Sequence, residues 1–502
     1  MNPVHLPYMC LAYRFVSVVA TLASMSLCCL AAEQLPQVRQ PNIVIMIADD
    51  LGYGDVSCLN PDRGKIHTPN LDAIASSGMT FTDAHSNSSV CSPTRYGLLT
   101  GRYAWRTRLQ EDVLTGGPSL IAPQRMTLAK LLRPRGYDSC VIGKWHLNML
   151  FDGRTMAEER VVPIGAKVTS GPIDAGGFDE FHGYHHARQM QTWIDNDTVT
   201  ANPEPVEMLP RLTAQAISYI TSRHGKDKPF LLYIPWSSPH GPIVPAPEWK
   251  GRSGLSEYAD FVLQTDDSIG QVIQALKDHG LYDNTIIIST SDNGTARGSA
   301  GMDELEQLGH YSSGYLRGAK SDLWDGGHRV PFFVSWPGHI QPGSRSNSLV
   351  SLTDVFATIA DITGATYPQD QGEDSVSQLA LLLGKPGYPR SNLISHSIWG
   401  YFSLRQGKWK LICCPGSGGW TEPTTAHAAK EGHPLMQLYD MTADLGEQRN
   451  LAEQEPEIVN RLRALLEKQI ADGRSTPGPK LANDIDRIII DKPPQTSHRL
   501  TQ

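Results

Sequence analysis

Apolar positions in the first 390 residues fall into short continuous runs rather than an alternating pattern. Ile43-Val44-Ile45-Met46-Ile47-Ala48, Cys140-Val141-Ile142, Phe230 to Ile234, Thr285 to Thr290 and Pro331 to Ser335 are such runs. Unbroken apolar runs of this length fit strands buried on both faces of a parallel sheet. Between them lie stretches with helix signals. Thr68-Pro69 opens a helix over Leu71 to Ser77 that Gly78 closes, and Ser256 to His279 reads as a long helix stopped by Gly280. Leu128 to Leu132 and Asp354 to Ile362 are further helices. Strands alternating with helices predict an α/β fold, a large mostly parallel sheet flanked by helices. Two stretches break the pattern. Asn148 to Pro210 is irregular and reads as the surround of a site rather than core, and Ser312 to His328 reads as a glycine-rich loop.

Past about Pro389 the texture changes. Asn392 to His396, Tyr401 to Arg405 and Trp409 to Ile412 predict a small antiparallel sheet. Glu455 to Gly473 reads as an amphipathic helix with Ile458, Leu462, Leu465, Leu466 and Ile470 on one side. The expected organisation is a main domain over residues 38–388, a small α+β subdomain over 389–475 and an extended tail over 476–502. Residues 1–32 read as a secretory signal. Arg14 supplies the positive flank, Phe15 to Ala32 is apolar, and Ala31-Ala32 stand near a plausible cut. Ser17, Thr21, Ser24 and Ser26 weaken the rival reading, a membrane anchor, and no other stretch approaches a transmembrane length. A secreted or periplasmic protein without a stable membrane anchor is expected.

Composition narrows the function. The 502-residue chain carries a net charge of −8, so it has no basic excess with which to neutralise nucleic-acid phosphates. An anionic substrate must then be held by local cations. Three of the eight cysteines fall in the signal, and the five left among roughly 470 residues are no disulfide scaffold. Pairing among Cys58, Cys140, Cys413 and Cys414 stays open.

The chemistry gathers at strand ends. Asp49-Asp50, Lys144, His146, His240 and Asp292-Asn293 each follow one of the apolar runs, and in parallel sheets ligands bind beyond the carboxyl ends of the strands. Asp49, Asp50, Asp292 and Asn293 form an oxygen-rich set suited to a hard divalent cation. In Val90-Cys91-Ser92-Pro93-Thr94-Arg95, Ser92 reads as a helix cap and Pro93 as the first helical residue, and Thr100-Gly101 ends the helix. Cys91 then stands just before a helix N-terminus, where an anion is favoured, with the Arg95 cation projecting back towards it. A buried structural thiol is the plainer reading of Cys91.

Cys91-x-Pro93-x-Arg95 followed by Leu99-Thr100-Gly101-Arg102 resembles the signature of the type I sulfatases, of the arylsulfatase and N-acetylgalactosamine-6-sulfatase-like bacterial kind. Gly143-Lys144-Trp145-His146 resembles their second signature. Trp324-Asp325-Gly326-Gly327-His328-Arg329-Val330-Pro331 and Leu438-Tyr439-Asp440 continue the likeness, which runs from about Gln40 to Gly473. The resemblance implies an alkaline-phosphatase-like fold and hydrolysis of sulfate monoesters, aryl or carbohydrate. It implies that Cys91 is oxidised to formylglycine by a formylglycine-generating or anaerobic sulfatase-maturing enzyme. It also implies one Ca²⁺ held by Asp49, Asp50, Asp292 and Asn293 together with residue 91. By the same likeness Lys144 bridges the modified residue and the sulfate, and His146 holds or deprotonates its diol. His240 and Lys320 match groups that contact the sulfate, and they face the leaving oxygen.

A hydrated aldehyde suits such a reaction better than serine, whose sulfate ester would need a second difficult displacement. One hydroxyl attacks, and loss of the other's proton expels sulfate. Asp292 is the expected base for attack and His146 for release. The rivals are a phosphate or phosphonate monoester hydrolase of the same superfamily and an inactive binding protein that keeps the fold. The single ligand cluster favours sulfate over the first, and the filled family positions weigh against the second. His185, His186, Arg188, Gln189, Trp193 and Trp399 are candidates for the pocket wall.

Overall fold

The computed structural model describes residues 40–495 apart from residues 153, 156–160, 187–189 and 388–389, and of residues 154–155 only the backbone. The expected signal lies outside the described residues. Ten strands form one sheet in the order Thr198–Ala201, Trp193–Asp195, Glu180–Tyr184, Asp138–Lys144, Phe230–Pro239, Asn42–Asp49, Thr285–Ser291, Phe332–Ser335, Met79–Phe81 and Ser344–Ser346. From Glu180–Tyr184 to Thr285–Ser291 the five neighbours are all parallel. Antiparallel pairs flank them on both sides. The long apolar runs are therefore the central strands.

Asn42–Asp49 shows why its run is unbroken. Ile43, Ile45 and Ile47 enter one core with Tyr96, Leu128, Val355 and Phe356. Val44, Met46 and Ala48 enter the other with Leu71, Leu212, Val262 and Val272. Side chains alternate across a strand, so a strand with a core on each face needs apolar residues at every position. Each fully buried Ile or Val stabilises the fold by ~1.5–3 kcal/mol. The helix Glu257–Asp278 has the expected ends: the Ser256 hydroxyl accepts from Ala259 N, and His279 follows as C-cap.

Four readings are corrected. The helix holding Cys91 spans Cys91–Thr100 with Val90 as its N-cap, so Cys91 is its first residue rather than the residue before it. Ser92 does not cap; its hydroxyl accepts from Leu114 N at 3.1 Å and fastens a neighbouring loop. Residues 148–210 are not only surround. Glu180–Tyr184 lies inside the sheet, and a helix, Met208–Ser222, begins within this span. The strand is short and has polar Glu180 and His182 on one side, which hid it. The glycine-rich loop ends in a short helix, Asp325–His328. Gly101 ends the Cys91 helix as expected, at φ +66°, and an added Cβ would meet Gly372, Phe356 and Ser375 at 3.0 Å.

The predicted antiparallel sheet is present as Asn392–His396, Phe402–Gln406 and Trp409–Ile412, with Gln437–Asp440 added at its edge. It packs with Tyr103, Trp105, Leu462 and Leu466 in a core of its own. The helix below it spans Pro456–Ala471. From this sheet Lys410 reaches back to Asp325 at 2.6 Å and Glu447 at 2.8 Å, all buried. The chain after Arg474 lies on the body: Arg102 pairs with Asp484, and Arg106 donates to Asn483. All five cysteines among the described residues are free.

Arg106 and Asp374 fasten these parts together. The guanidinium grips both carboxylate oxygens at 2.8 Å, and Tyr103 N and Ser475 N donate to the same carboxylate at 2.9 Å. Burial pushes the Asp374 carboxyl up, but Arg106 and these hydrogen bonds outweigh it and hold it below the usual carboxylate range. Asp374→Ala is expected to lose about 3–5 kcal/mol in denaturant unfolding, because a buried guanidinium loses its partner. The stabilisation by ionised Asp374 is complete above the ordinary aspartate pKa and is lost as pH falls through the lowered folded value. The stability gap between the native chain and Asp374→Asn should therefore close towards acid pH; a constant gap would contradict the pairing.

Candidate active site

Four adjacent parallel strands deliver the site from their carboxyl ends. Asp138–Lys144 ends at Lys144, Phe230–Pro239 is followed by His240, Asn42–Asp49 by Asp50, and Thr285–Ser291 by Asp292 and Asn293. The Cys91 helix packs on one face of the sheet through Tyr96, Leu98 and Leu99 and places its first residue among them. Asp50 and His146 take φ of +66° and +54°, and Ser321, next to Lys320, takes +83°. Left-handed backbone at residues with a Cβ costs roughly 1–2 kcal/mol each, and here it clusters at one place.

Three buried carboxylates and three buried cations interlock around Cys91. Lys144 Nζ donates to Asp49 Oδ2 at 2.6 Å. Arg95 donates through Nε and Nη2 to Asp292 Oδ2 at 3.0 and 2.8 Å, lies 3.4 Å from Asp49 Oδ1, and donates from Nη1 to the Lys144 carbonyl. Lys320 Nζ grips both Asp50 oxygens at 2.6 and 2.8 Å. The Cys91 Sγ lies 3.5 Å from both Asp49 Oδ1 and Lys320 Nζ. Asn293 Nδ2 donates to Asp50 Oδ1 at 2.8 Å, and Asp50 N donates to Asp292 Oδ1 at 3.2 Å. His240 Nε2 stands 3.7 Å from Asp50 Oδ2 while its Nδ1 bonds the Gly241 carbonyl. The structure thus brings nine of the ten residues singled out by sequence into one linked cluster.

His146 is the tenth, and its side chain contacts His186 and the Leu114 carbonyl rather than the nine. Its Nε2 meets the Leu114 carbonyl at 3.0 Å, which puts the proton on that nitrogen. Among the described residues its buried Nδ1 has no hydrogen-bond partner. Burial and the neighbouring His186, whose ring stands 4.3 Å away edge to face, hold His146 well below the usual imidazole range. It is therefore neutral at pH 7, with a free lone pair on Nδ1.

Charges divide by surroundings. Burial pushes the Asp49 carboxyl up, but Lys144, His240, Arg95 and Lys320 overcome it and hold it well below the carboxylate range. Burial and the Asp49 charge lift Asp292 to about 6. Burial, then the Asp292 charge, pushes the Cys91 thiol up to about 12, so the unmodified side chain is a neutral thiol and a weak nucleophile at pH 7. Burial lowers His240 to about 4, whereas Asp50 keeps Lys320 charged against its burial.

The donor set fits a hard cation. It offers carboxylates from Asp49, Asp50 and Asp292, and ligand atoms of Asp49, Asp50, Cys91 and His240 lie within 4.8 Å of one another. Asn293 Oδ1, buried, has no hydrogen-bond partner among the described residues, which is what an oxygen reserved for a metal looks like.

Sequence reasoning missed the support beneath Asp50. Asp55 accepts from Gly52 N, Tyr258 Oη and Thr295 Oγ1 at 2.9, 2.6 and 2.7 Å, and its other oxygen meets His310 Nε2 at 2.9 Å. Gly52-Tyr53-Gly54-Asp55, directly after Asp49-Asp50, was the available signal. Of the wall candidates, Trp193 is core rather than wall. Trp399 packs beside Leu323 and Trp324. His185 is buried, His186 adjoins His146, and Arg188 and Gln189 lie outside the described residues.

A mostly parallel sheet with carboxylates and buried cations at its carboxyl edge is the alkaline-phosphatase-like arrangement. Residues 41–365 match the sulfatase family model. The chain is 33% identical to an N-acetylgalactosamine-6-O-sulfatase of Bacteroides thetaiotaomicron over 86% of this chain and 93% of that protein. It is 32% identical to human arylsulfatase A over 91% and 93%. A solved Bacteroides thetaiotaomicron structure labelled 6S-sulf, described under the metabolism of multiple glycosaminoglycans, superposes with a TM-score of 0.75 at 29% identity, over 86% of this chain and 99% of that one. The chain belongs to the sulfatase family and is a sulfuric ester hydrolase.

Arg95 is the group on which two carboxylates depend. Arg95→Met is expected to lower stability by about 3–5 kcal/mol, since it leaves buried charge without its partner, and Arg95→Lys by less. Denaturant unfolding in the presence of a chelator measures this. Native stability in Arg95→Met would show that the carboxylates do not need the guanidinium.

Proposed function

We propose that this sulfatase acts on carbohydrate sulfate esters, outside the cytoplasm, with Cys91 oxidised to formylglycine and one Ca²⁺ held by Asp49, Asp50, Asp292 and Asn293. The observation that carries the reading is the placing of the Cys91 Sγ 3.5 Å from Asp49 and from Lys320, inside a cluster of paired charges. The relatives named for sugar sulfates support the carbohydrate class. The exported location rests on the sequence alone, on the apolar stretch Phe15 to Ala32 behind Arg14; among the described residues no helix is long and apolar enough to cross a membrane.

When present, the aldehyde supplies a geminal diol as nucleophile and the cation polarises the sulfate oxygens. This chain's residues do the rest. Arg95 holds Asp292 in place, and Asp292 takes a proton from the attacking hydroxyl of residue 91. Lys144, fastened to Asp49, offers its charge to the sulfate oxygens. His146, with its proton fixed on Nε2 by the Leu114 carbonyl, accepts a proton at Nδ1 when sulfate is released. His240 and Lys320 face the departing oxygen, Lys320 as the cation of the pair.

Peptide mass analysis of active protein should find an aldehyde at residue 91 in place of the thiol. Cys91→Ser should abolish turnover and trap a sulfated serine. Chelation should remove the activity and Ca²⁺ restore it. Full activity with an unmodified Cys91 would end this reading.

The leaving-group assignment has its own test. A sugar alkoxide needs a proton or a cation to depart, whereas an activated phenolate does not. His240→Ala and Lys320→Ala are expected to lose ~10²–10⁴-fold on a sugar sulfate and much less on an activated aryl sulfate. Equal losses on both substrates would make the two residues sulfate binders instead.

A further inference from the structure

A cleft of about 340 Å³ outside the site has Arg63, Arg297, Glu306, Tyr315, Arg317 and Glu422 in its lining. It and the active site lie on one pair of loops. Asn293 and Lys320 serve the site, while Arg297 and Arg317, a few residues away on the same loops, serve the cleft. Lys320 N donates to the Thr295 carbonyl at 2.9 Å and joins the two loops between these faces. The short helix Arg297–Ala300 also borders the His240 side, because a Cβ added to Gly241 would come within 3.7 Å of Ser299.

Two of the cations are unspent. Arg297 is paired with Asp303 and Glu306, and Glu422 is engaged by His427 at 2.8 Å. Among the described residues neither Arg63 nor Arg317 has a carboxylate at ion-pair distance. Arg63 lies 3.6 Å over the Tyr311 ring and 4.9 Å from that of Tyr315, and donates to the Gly314 carbonyl. Arg317 lies 3.5 Å over Trp324 and donates to the Glu447 carbonyl. Stacking fixes the plane of each guanidinium and leaves its other donors for a carboxylate or sulfate. Large rings are bare beside them: Tyr315 is 58% exposed, and Trp420, next to the lining residue Thr421, is 40% exposed. Unpaired planar cations flanked by open aromatic faces, on a chain of net charge −8, suit an acidic sugar, whose ring stacks and whose anion is forked.

We propose that this cleft is a subsite for a second anionic sugar of an oligomeric substrate, at a distance along the chain from the ester being cut. It rests on the carbohydrate reading above. The test compares a sugar sulfate that the native enzyme hydrolyses as a monosaccharide with an acidic oligosaccharide that ends in the same sulfated sugar. The native enzyme should show a lower KM for the oligosaccharide, rising with salt. Arg63→Gln should raise that KM about tenfold and leave kcat and KM for the monosaccharide unchanged, which also shows that the variant is folded. Arg63→Lys, which keeps the charge and loses the fork, should fall between. Equal effects of Arg63→Gln on both substrates, or none on the oligosaccharide, would overturn the subsite while the carbohydrate reading stands. An enzyme that cleaves aryl sulfate and no sugar sulfate would overturn both.

Discussion

Asp49, Asp50 and Asp292 stand within one sheet edge, all buried, and such carboxylates repel one another strongly in so dry a place. Arg95, Lys144 and Lys320 make the arrangement tolerable, three charges against three, each pair in contact at 2.6–2.8 Å. The balance explains why the cluster is linked rather than loose. It also means that an anionic ester meets no excess of positive charge from these six groups, so the proposed cation would supply the attraction. Cys91 sits where that charge is densest, yet its own thiol is held neutral by burial, then by the nearby Asp292 charge.

The scaffold serves this cluster in two ways. Parallel strands with a core on each face carry close-packed side chains on both sides, so a shift of one strand would misfit both cores and their carboxyl ends keep a fixed spacing. Beneath Asp50, the fully bonded Asp55 holds the turn of Gly52 and Gly54 against the loop of Ser312, which leads on to Lys320. The left-handed backbone at Asp50, His146 and Ser321 persists because the surrounding packing leaves no alternative.

The C-terminal sheet is coupled to the site through charge as well as packing. Lys410 reaches Asp325 and Glu447, and Asp325 opens the short helix after the Lys320 loop. Glu447 also accepts from Asp325 N through its side chain, and its carbonyl accepts from Arg317. The loop that positions Lys320 is therefore clamped from the far side, and the arginine cleft opens at that seam.

Sequence alone determined the layered α/β plan, because the periodicity of apolar residues directly reports how many faces of a strand or helix are covered. It also determined the residue types of the site, since the two signatures and the Asp-Asp and Asp-Asn pairs stand at the ends of apolar runs. The limits of the Ser256-capped helix and the Gly101 stop were legible for the same local reason, a cap or a left-handed residue in the chain itself. Tertiary structure decided what depends on partners distant in the chain. Glu180–Tyr184 is a strand because Asp138–Lys144 lies beside it, although its own residues are too few and too polar to announce it. Cys91 begins its helix, and Ser92 abandons the cap, because Leu114 N offers the hydroxyl a better partner 22 residues away. Trp193 lies in the core, and Asp55 and His310 meet only when residues 255 apart are folded together. Which carboxylate pairs with which cation was likewise a matter of three-dimensional distance, since Coulomb attraction depends on separation in space and not on order along the chain.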